Sequence, residues 1–211
     1  MMCYRFFKVC VFLAVSLGLS ACVQMNNQAA FGDNPPLSIL VIPPNNLSTS
    51  VNAPYIYLST LSRPLAERGY YVFPVAVIDQ FLKENGLPTP AEMNSVPLDK
   101  LQKYTGADAV LYSEIESWGQ VFQVVQSKTV VSVRLRLVDA RSGLELWQTR
   151  VQGERIPENR GGNNLLGAIV SAVADQIVGS TIDYTPELAR EANNRSLGAL
   201  PEGHYRLERS Q

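Results

Sequence analysis

The sequence predicts an α/β domain with a mixed sheet, which begins with parallel βαβ units, ends in an antiparallel β-hairpin and is flanked by helices. Two observations support this fold class. Short apolar or β-branched runs alternate with helical patterns across residues 37–116, in the order typical of parallel pairing. From residue 129 onward the apolar period becomes two, which is typical of a strand with one solvent-exposed face.

The first half of the domain is predicted to contain three strands separated by helices. Pro54 can begin a helix that Pro64 should kink or divide, and Gly69 should end it. Thr89 begins the pattern of a capping box, and the helical segments after it should continue to Gly106. The predicted strands are 37–42, 70–73 and 109–116, and the further helices are 77–84, one starting at Pro90, and 98–104.

The second half is predicted as a hairpin followed by helices. A turn at 139–143 should reverse the strand around residues 131–137 into a strand at 144–152. Gly119 is a candidate bulge that bends the preceding strand. An apolar stripe predicts a helix that begins near Asn163 or Asn164, and a short helix should start at Pro186.

The first residues have the pattern of an export signal. Arg5 and Lys8 precede a short apolar run, Val9 to Leu19, that a polar segment follows directly. A permanent transmembrane helix is the weaker interpretation, because a span needs about 20 apolar residues. Leu19-Ser20-Ala21-Cys22 resembles the bacterial lipobox, so Cys22 is the expected site of lipidation; the alternative is an ordinary signal peptide that contains a cysteine.

These patterns divide the chain into four parts. All three cysteines lie in or at the end of the leader, so the exported domain has no thiol pair, and the net charge of −1 gives no indication of nucleic-acid binding. The predicted parts are a signal peptide at 1–21, a lipidated tether at 22–36, a globular domain at 37–185, and a short helix with a polar tail at 186–211.

Candidate catalytic residues are few, and we expect no enzyme, cofactor or metal site. His204 is the only histidine and lies in the tail, which excludes a histidine-based triad or a multi-histidine metal site within one chain. Glu114 and Glu116 should project from one face of a strand, where they could bind a cation or transfer protons, although a solvated face is commoner. Asp139 and Glu145 flank the hairpin turn, where a local hydrogen-bonding role is expected for the aspartate.

Two further patterns indicate binding only faintly. Gly161-Gly162-Asn163-Asn164 before a helix resembles a phosphate cradle, but it lacks the lysine and the spacing of a P-loop, so a flexible cap is the favoured role. Arg134 and Arg136, with Lys128 nearby, form a small basic strip that could receive an acidic partner or could simply keep the surface soluble.

The last predicted strand is a candidate interface. A strand at a sheet edge must be covered, charged or paired with another chain. Trp147 lies near Arg150 in this strand, and both residue types are enriched where interfaces concentrate their binding energy. The alternative is that Trp147 belongs to the core beneath the helix predicted at 164–178.

Several blocks of the chain together resemble an uncharacterised family of Gram-negative lipoproteins, one neisserial member of which is a surface vaccine antigen. The resemblance covers most of residues 20–185 and implies a fold similar to the amino-terminal domain of TolB and to CsgG. It also implies a CsgG-like lipoprotein partner and homodimers, and it supplies no catalytic residue. The blocks are the lipobox and residues 37–46, 65–74, 106–112 and 139–147.

The function expected from these features is that of a non-enzymatic adaptor in an envelope or secretion complex. Val23 after Cys22 favours the outer membrane, facing the periplasm, because aspartate at that position is the usual signal for retention at the inner membrane in enteric bacteria; exposure at the cell surface remains open. Two alternatives are a regulator of cell-wall synthesis that activates a penicillin-binding protein, and a small-ligand receptor or enzyme that uses the carboxylates.

Overall fold

A computed structural model describes residues 31, 35–122, 127–156 and 183–207. The predicted signal peptide, Cys22, the glycine pair at 161–162 and the helix predicted at 164–178 lie outside these residues. The mixed α/β architecture is confirmed, because parallel and antiparallel strands share one sheet and helices flank it.

The sheet contains six strands, five of them in the order β3-β1-β4-β5-β6, while β2 pairs with β4 beyond the end of β1. The first three strands pair in parallel and the last three are antiparallel, which is the predicted change from βαβ units to a hairpin. The strands are β1 Ser38–Val41, β2 Asn45–Asn46, β3 Tyr71–Val72, β4 Ala109–Phe122, β5 Ser127–Asp139 and β6 Glu145–Arg155.

The helices of the first half begin and end where the sequence chemistry indicates. Pro64 lies in the first turn of a new helix, so the predicted helix from Pro54 is divided in two rather than kinked. Thr89 and Glu92 form the predicted capping box, and Gly106 ends the last of these helices. These helices are α1 Ala53–Leu58, α2 Ser62–Glu67, α3 Val75–Glu84, α4 Pro90–Asn94 and α5 Leu98–Thr105.

Strand β4 contains a bulge, but not at the predicted residue. The register with β5 shifts between Ile115 and Ser117, so Glu116 is the extra residue, whereas Gly119 pairs with Val130. The bulge changes which side chains face the core: Ile115 is buried before it and Trp118, three positions later, is buried after it. The prediction for Gly119 is therefore wrong, although its positive φ of 101° explains why glycine occupies the position.

The C-terminal region contains the helix predicted from Pro186, but this helix is part of the domain core rather than a segment outside it. Helix α6, Thr185–Leu197, packs against β6, and its Leu188, Ala189 and Leu197 belong to the main core. The last described helix, α7 His204–Leu207, follows Gly203. A β-carbon on Gly203 would lie 2.5 Å from the carbonyl oxygen of Gly69, so this close approach of two backbones requires glycine.

The apolar residues form two clusters, one on each face of the sheet. The main cluster lies between the sheet and helices α1, α2 and α6, and the smaller one lies under α3, α4 and α5. Phe31 is 7% exposed and joins the main cluster, which shortens the predicted tether because an aromatic side chain gains free energy by leaving water. Within the described ranges, no helix is both long and apolar enough to cross a membrane.

Candidate functional site

The open face of the antiparallel strands holds a connected group of charged side chains. Helices α3 to α5 cover the first part of this face, where Val110 and Ala140 are buried. Farther along the strands the side chains that alternate with the core residues are polar, and Arg134 and Arg150 are about half exposed, at 52% and 51% of their side-chain surface. The open face is therefore a polar surface on a rigid sheet.

Two glutamates and two arginines form a connected cluster at the bulge, which we call the arginine–glutamate cluster. Arg134 donates to Glu116 Oε1 over 2.6 Å and lies 3.4 Å from Glu114 Oε1. Arg150 reaches across β5 and donates to the same Glu116 oxygen over 2.9 Å, while Ser132 Oγ donates to Glu116 Oε2 over 2.9 Å. The two carboxylates therefore lie together as predicted, but each is already bound by Arg134.

The pKa of Glu116 reflects these partners. Partial burial by itself would raise the pKa, but the hydrogen bond from Ser132 and the positive charges of Arg150 and Arg134 outweigh it, so the pKa lies below its ordinary value. A carboxyl group with a lowered pKa is ionised at neutral pH and is a poor general acid there. The cluster is better suited to fixing the positions of strands and charges than to transferring protons.

The Glu116→Gln variant should show how this cluster depends on pH. Because the folded-state pKa is lowered, the stabilisation is present above the ordinary value of 4.5 and is lost as the pH falls through the folded pKa. We expect the variant to lose less than about 1 kcal/mol of unfolding free energy at neutral pH. In acid, its unfolding free energy should differ less from that of the unmodified protein. Urea unfolding between about pH 3 and pH 7 measures it. Glu114→Gln is the control, with a smaller effect expected; equal curves for Glu116→Gln and the unmodified protein at every pH contradict the assignment.

The predicted basic strip is paired with carboxylates at two of its three residues. Arg134 belongs to the cluster, Lys128 pairs with Glu154 over 2.9 Å, and the guanidinium carbon of Arg136 lies 5.2 Å from the centroid of the Tyr112 ring. Carboxylates on neighbouring strands therefore pair with two of the three cations, whereas Arg136 is exposed and contacts an aromatic ring.

The two candidate interface residues lie in different environments. Trp147 is 3% exposed and belongs to the main core, as its alternative interpretation predicted, because it pairs with Leu137 and shares that residue's core-facing side. It is therefore not available as an exposed aromatic anchor. The described helix that packs on β6 is α6, which the sequence placed outside the domain. Arg150 points to Glu116 and remains half exposed on the open face.

The remaining candidates have local roles. Asp139 accepts hydrogen bonds from the backbone amides of Arg141 and Ser142, over 3.1 and 2.7 Å, which confirms its expected place in the turn. Glu145 is exposed at the start of β6, and the imidazole of His204 packs edge-on against Tyr205. Among the described residues, no group of three or more metal-ligating side chains comes together.

Asp108 was missed by the sequence reasoning. Its Oδ2 accepts hydrogen bonds from the amides of Leu37 and Ser38 and from the Ser38 hydroxyl, and its Oδ1 pairs with Arg141 over 3.1 Å. It thereby joins the beginning of β1 to the hairpin turn. The only signal in the sequence is an aspartate directly before a strand, which does not reveal a partner 70 residues away.

Comparison with known proteins identifies the family. The family model described as "Putative lipoprotein GNA1162-like" matches residues 27–205. A Neisseria meningitidis serogroup B protein named as lipoprotein NMB1124/NMB1162 is 41% identical over 184 residues, which cover 85% of each chain. The crystal structure of lipoprotein GNA1162 from Neisseria meningitidis is 43% identical, covers 68% of this chain and 99% of its own, and has a TM-score of 0.56. The chain belongs to the GNA1162-like lipoprotein family.

Proposed function

We propose that this lipoprotein is a non-enzymatic adaptor, anchored through Cys22 to the periplasmic face of the outer membrane, that helps assemble or regulate an envelope complex. The observation that carries the proposal is the long strand β6. It ends the order of strands in the described part of the sheet and runs for 11 residues, with β5 on one side. An edge of this length offers main-chain groups to a partner strand.

The side chains around this edge favour a protein partner over a small ligand. Gln148, Arg150 and Gln152 are exposed on the open face of β6, and Arg150 belongs to the arginine–glutamate cluster. Interfaces that form and dissociate carry a polar rim of this kind, with hydrogen bonds distributed over a broad surface. The partner that we expect is a CsgG-like lipoprotein, and a second copy of this chain is the other protein that the same edge can receive.

Photo-crosslinking in cells tests the proposal. A photoreactive amino acid in place of Gln152 should yield a discrete crosslinked species, which mass spectrometry then identifies. The matched control is the same amino acid in place of Arg63, whose side chain is 82% exposed on α2, on the opposite side of the sheet. A penicillin-binding protein in the Gln152 product would replace the proposed complex with cell-wall regulation. No product from Gln152, or identical products from both positions, would overturn the adaptor role of this edge.

Lipidation is tested separately with Cys22→Ser. The sequence Leu19-Ser20-Ala21-Cys22 predicts that this variant remains uncleaved by the lipoprotein signal peptidase and without acyl chains. Intact mass and fractionation of membranes measure both properties. Two or three acyl chains hold a protein firmly, whereas one holds it marginally, so the variant should lose its lipid anchor. An unmodified amino terminus elsewhere in the unsubstituted protein contradicts the prediction.

A further inference from the structure

We infer that the end of the domain at which β1 begins docks on the lipid surface itself. Here the starts of β1, β3 and β4 meet: Ser38 pairs with Tyr71, and Ile39 pairs with Ala109. Leu37, the residue directly before β1, also lies at this end. The inference rests on the proposed anchor at Cys22 and extends it, because it states which surface of the domain faces the membrane.

Five exposed apolar or aromatic side chains gather at this end. Leu37 is 42% exposed, and its carbonyl oxygen accepts from the amide of Tyr71, which is 50% exposed. Leu144 is 66% exposed, and its carbonyl oxygen accepts a hydrogen bond from the amide of Asp139, which pairs with the first residue of β4. The fourth is Tyr104, which is 69% exposed and lies four residues before Asp108. The fifth is Tyr205, which is 48% exposed and whose amide donates to the carbonyl oxygen of Gly69.

Tyrosine and leucine together fit the boundary between headgroups and acyl chains. A tyrosine side chain has an apolar ring and a polar hydroxyl, which is why tyrosine is enriched at membrane interfaces. Beside Tyr104 a groove of about 390 Å³, with Phe81 and Leu87 in its walls, adds apolar surface. This end therefore presents the mixture of groups that the interfacial region of a bilayer accommodates.

The charges at this end are nearly balanced, so apolar contact should dominate. Arg141 is 71% exposed but pairs with Asp108, and Arg206 pairs with Glu202. The Nζ atom of Lys103 lies 5.7 Å from the centroid of the Tyr104 ring, a position from which a lysine can reach lipid phosphates while the ring enters the interface. Docking should therefore occur on zwitterionic lipid and should strengthen only modestly with anionic lipid.

The length of chain between Cys22 and the core supports contact of the domain with the bilayer. Phe31 is held in the core, and it lies nine positions after Cys22. Nine residues span at most about 30 Å even when fully extended. An anchor at Cys22 thus keeps the domain within a few tens of ångströms of the bilayer, where weakly apolar surfaces reach high local concentration against the lipid.

Tryptophan probes in the full-length lipoprotein test the inference. The native Trp118 and Trp147 are 9% and 3% exposed, so they give a nearly constant background. Tyr104→Trp places a probe at the proposed membrane end. Val121→Trp is the matched control, because Val121 is 41% exposed near the other end of β4. It lies 12 residues after Ala109, which begins β4 at the proposed membrane end, or about 40 Å along an extended strand. If Tyr104→Trp has a lowered melting temperature, Leu144→Trp provides a second probe at the proposed membrane end.

Each variant is reconstituted in vesicles of phosphatidylethanolamine and phosphatidylglycerol, with and without brominated acyl chains. We expect brominated lipid to quench the Tyr104→Trp and Leu144→Trp emission at least twofold more than that of Val121→Trp, and aqueous acrylamide to give the reverse order. Equal bromine quenching of all probes, or stronger quenching of Val121→Trp, overturns the inference. Protection of Tyr104→Trp from acrylamide without bromine quenching also overturns it, since a protein then covers this end. Intact mass and flotation with the vesicles report the Cys22 anchor independently, so a failure of the anchor is distinguished from a failure of docking.

Discussion

Replacing Trp147 with alanine should lower the free energy of unfolding by about 3 to 5 kcal/mol, the cost expected for removing a large aromatic side chain from a packed core. Trp147 is 3% exposed and belongs to the cluster between the sheet and α1, α2 and α6. Because the surrounding backbone is held by the β5–β6 ladder, the cavity can collapse only in part. Denaturant unfolding of both proteins, compared at equal slope, measures the difference.

Leu144→Ala is the matched control for this prediction. Leu144 is 66% exposed just before β6, so its truncation should change stability by less than about 0.5 kcal/mol. A loss in Trp147→Ala no larger than in the control would show that the tryptophan is not a core residue. The same result would restore Trp147 as a candidate interface residue.

The second large effect is expected at Asn193, in the buried contact between α6 and α1. Its Oδ1 accepts a hydrogen bond from the Tyr57 hydroxyl over 2.7 Å, and its Nδ2 donates to Thr60 Oγ1 over 2.6 Å. Burial raises the pKa of Tyr57, so the hydroxyl keeps its proton and remains a donor. Asn193→Ala removes both bonds and leaves that hydroxyl without its partner, which should cost about 2 to 4 kcal/mol.

A double-mutant cycle separates the hydrogen bond from the loss of packing. Tyr57→Phe removes the donor, so the double variant Tyr57→Phe with Asn193→Ala should lose less stability than the sum of the single variants, by roughly 0.5 to 3 kcal/mol. Asn194→Ala, at an exposed neighbouring position, should be close to neutral. Strictly additive losses would refute the coupling of Tyr57 to Asn193.

The parts of the fold that follow from local chemistry could be predicted from the sequence. Pro64 must begin a helix or break one, and the capping box at Thr89 satisfies its own amides, so neither depends on distant residues. The alternation along β5 was equally local, since a strand with one open face repeats every two residues.

The features that depend on distant partners were missed or misplaced. The bulge is at Glu116 rather than at Gly119 because the register depends on β5 and on Ser132, 16 residues away. Phe31 and α6 seemed peripheral because their segments are largely polar, and only the fold shows that their few apolar side chains complete the core.

The sequence predicted residues of the candidate site but not the contacts between them. The sequence placed Glu114 and Glu116 on one face of a strand and Arg134 on the open face of another, and the structure shows that these two strands are neighbours. It could not show that Arg150 crosses β5 to reach Glu116, because that contact depends on the strand order. An arginine that had the pattern of a rim residue is therefore part of an internal ion-pair network.

The contact of α6 with α1 has a consequence for the order in which the domain folds. Tyr57 and Asn193 are separated by 136 positions, so the Tyr57 hydroxyl cannot bond to Asn193 until almost the whole domain has been synthesised. Native contacts of such long range delay folding, because loop closure must precede any gain from them. Without α6, the main core of the first half of the domain is incomplete. The topology therefore delays completion of the main core until the residues of α6 are present.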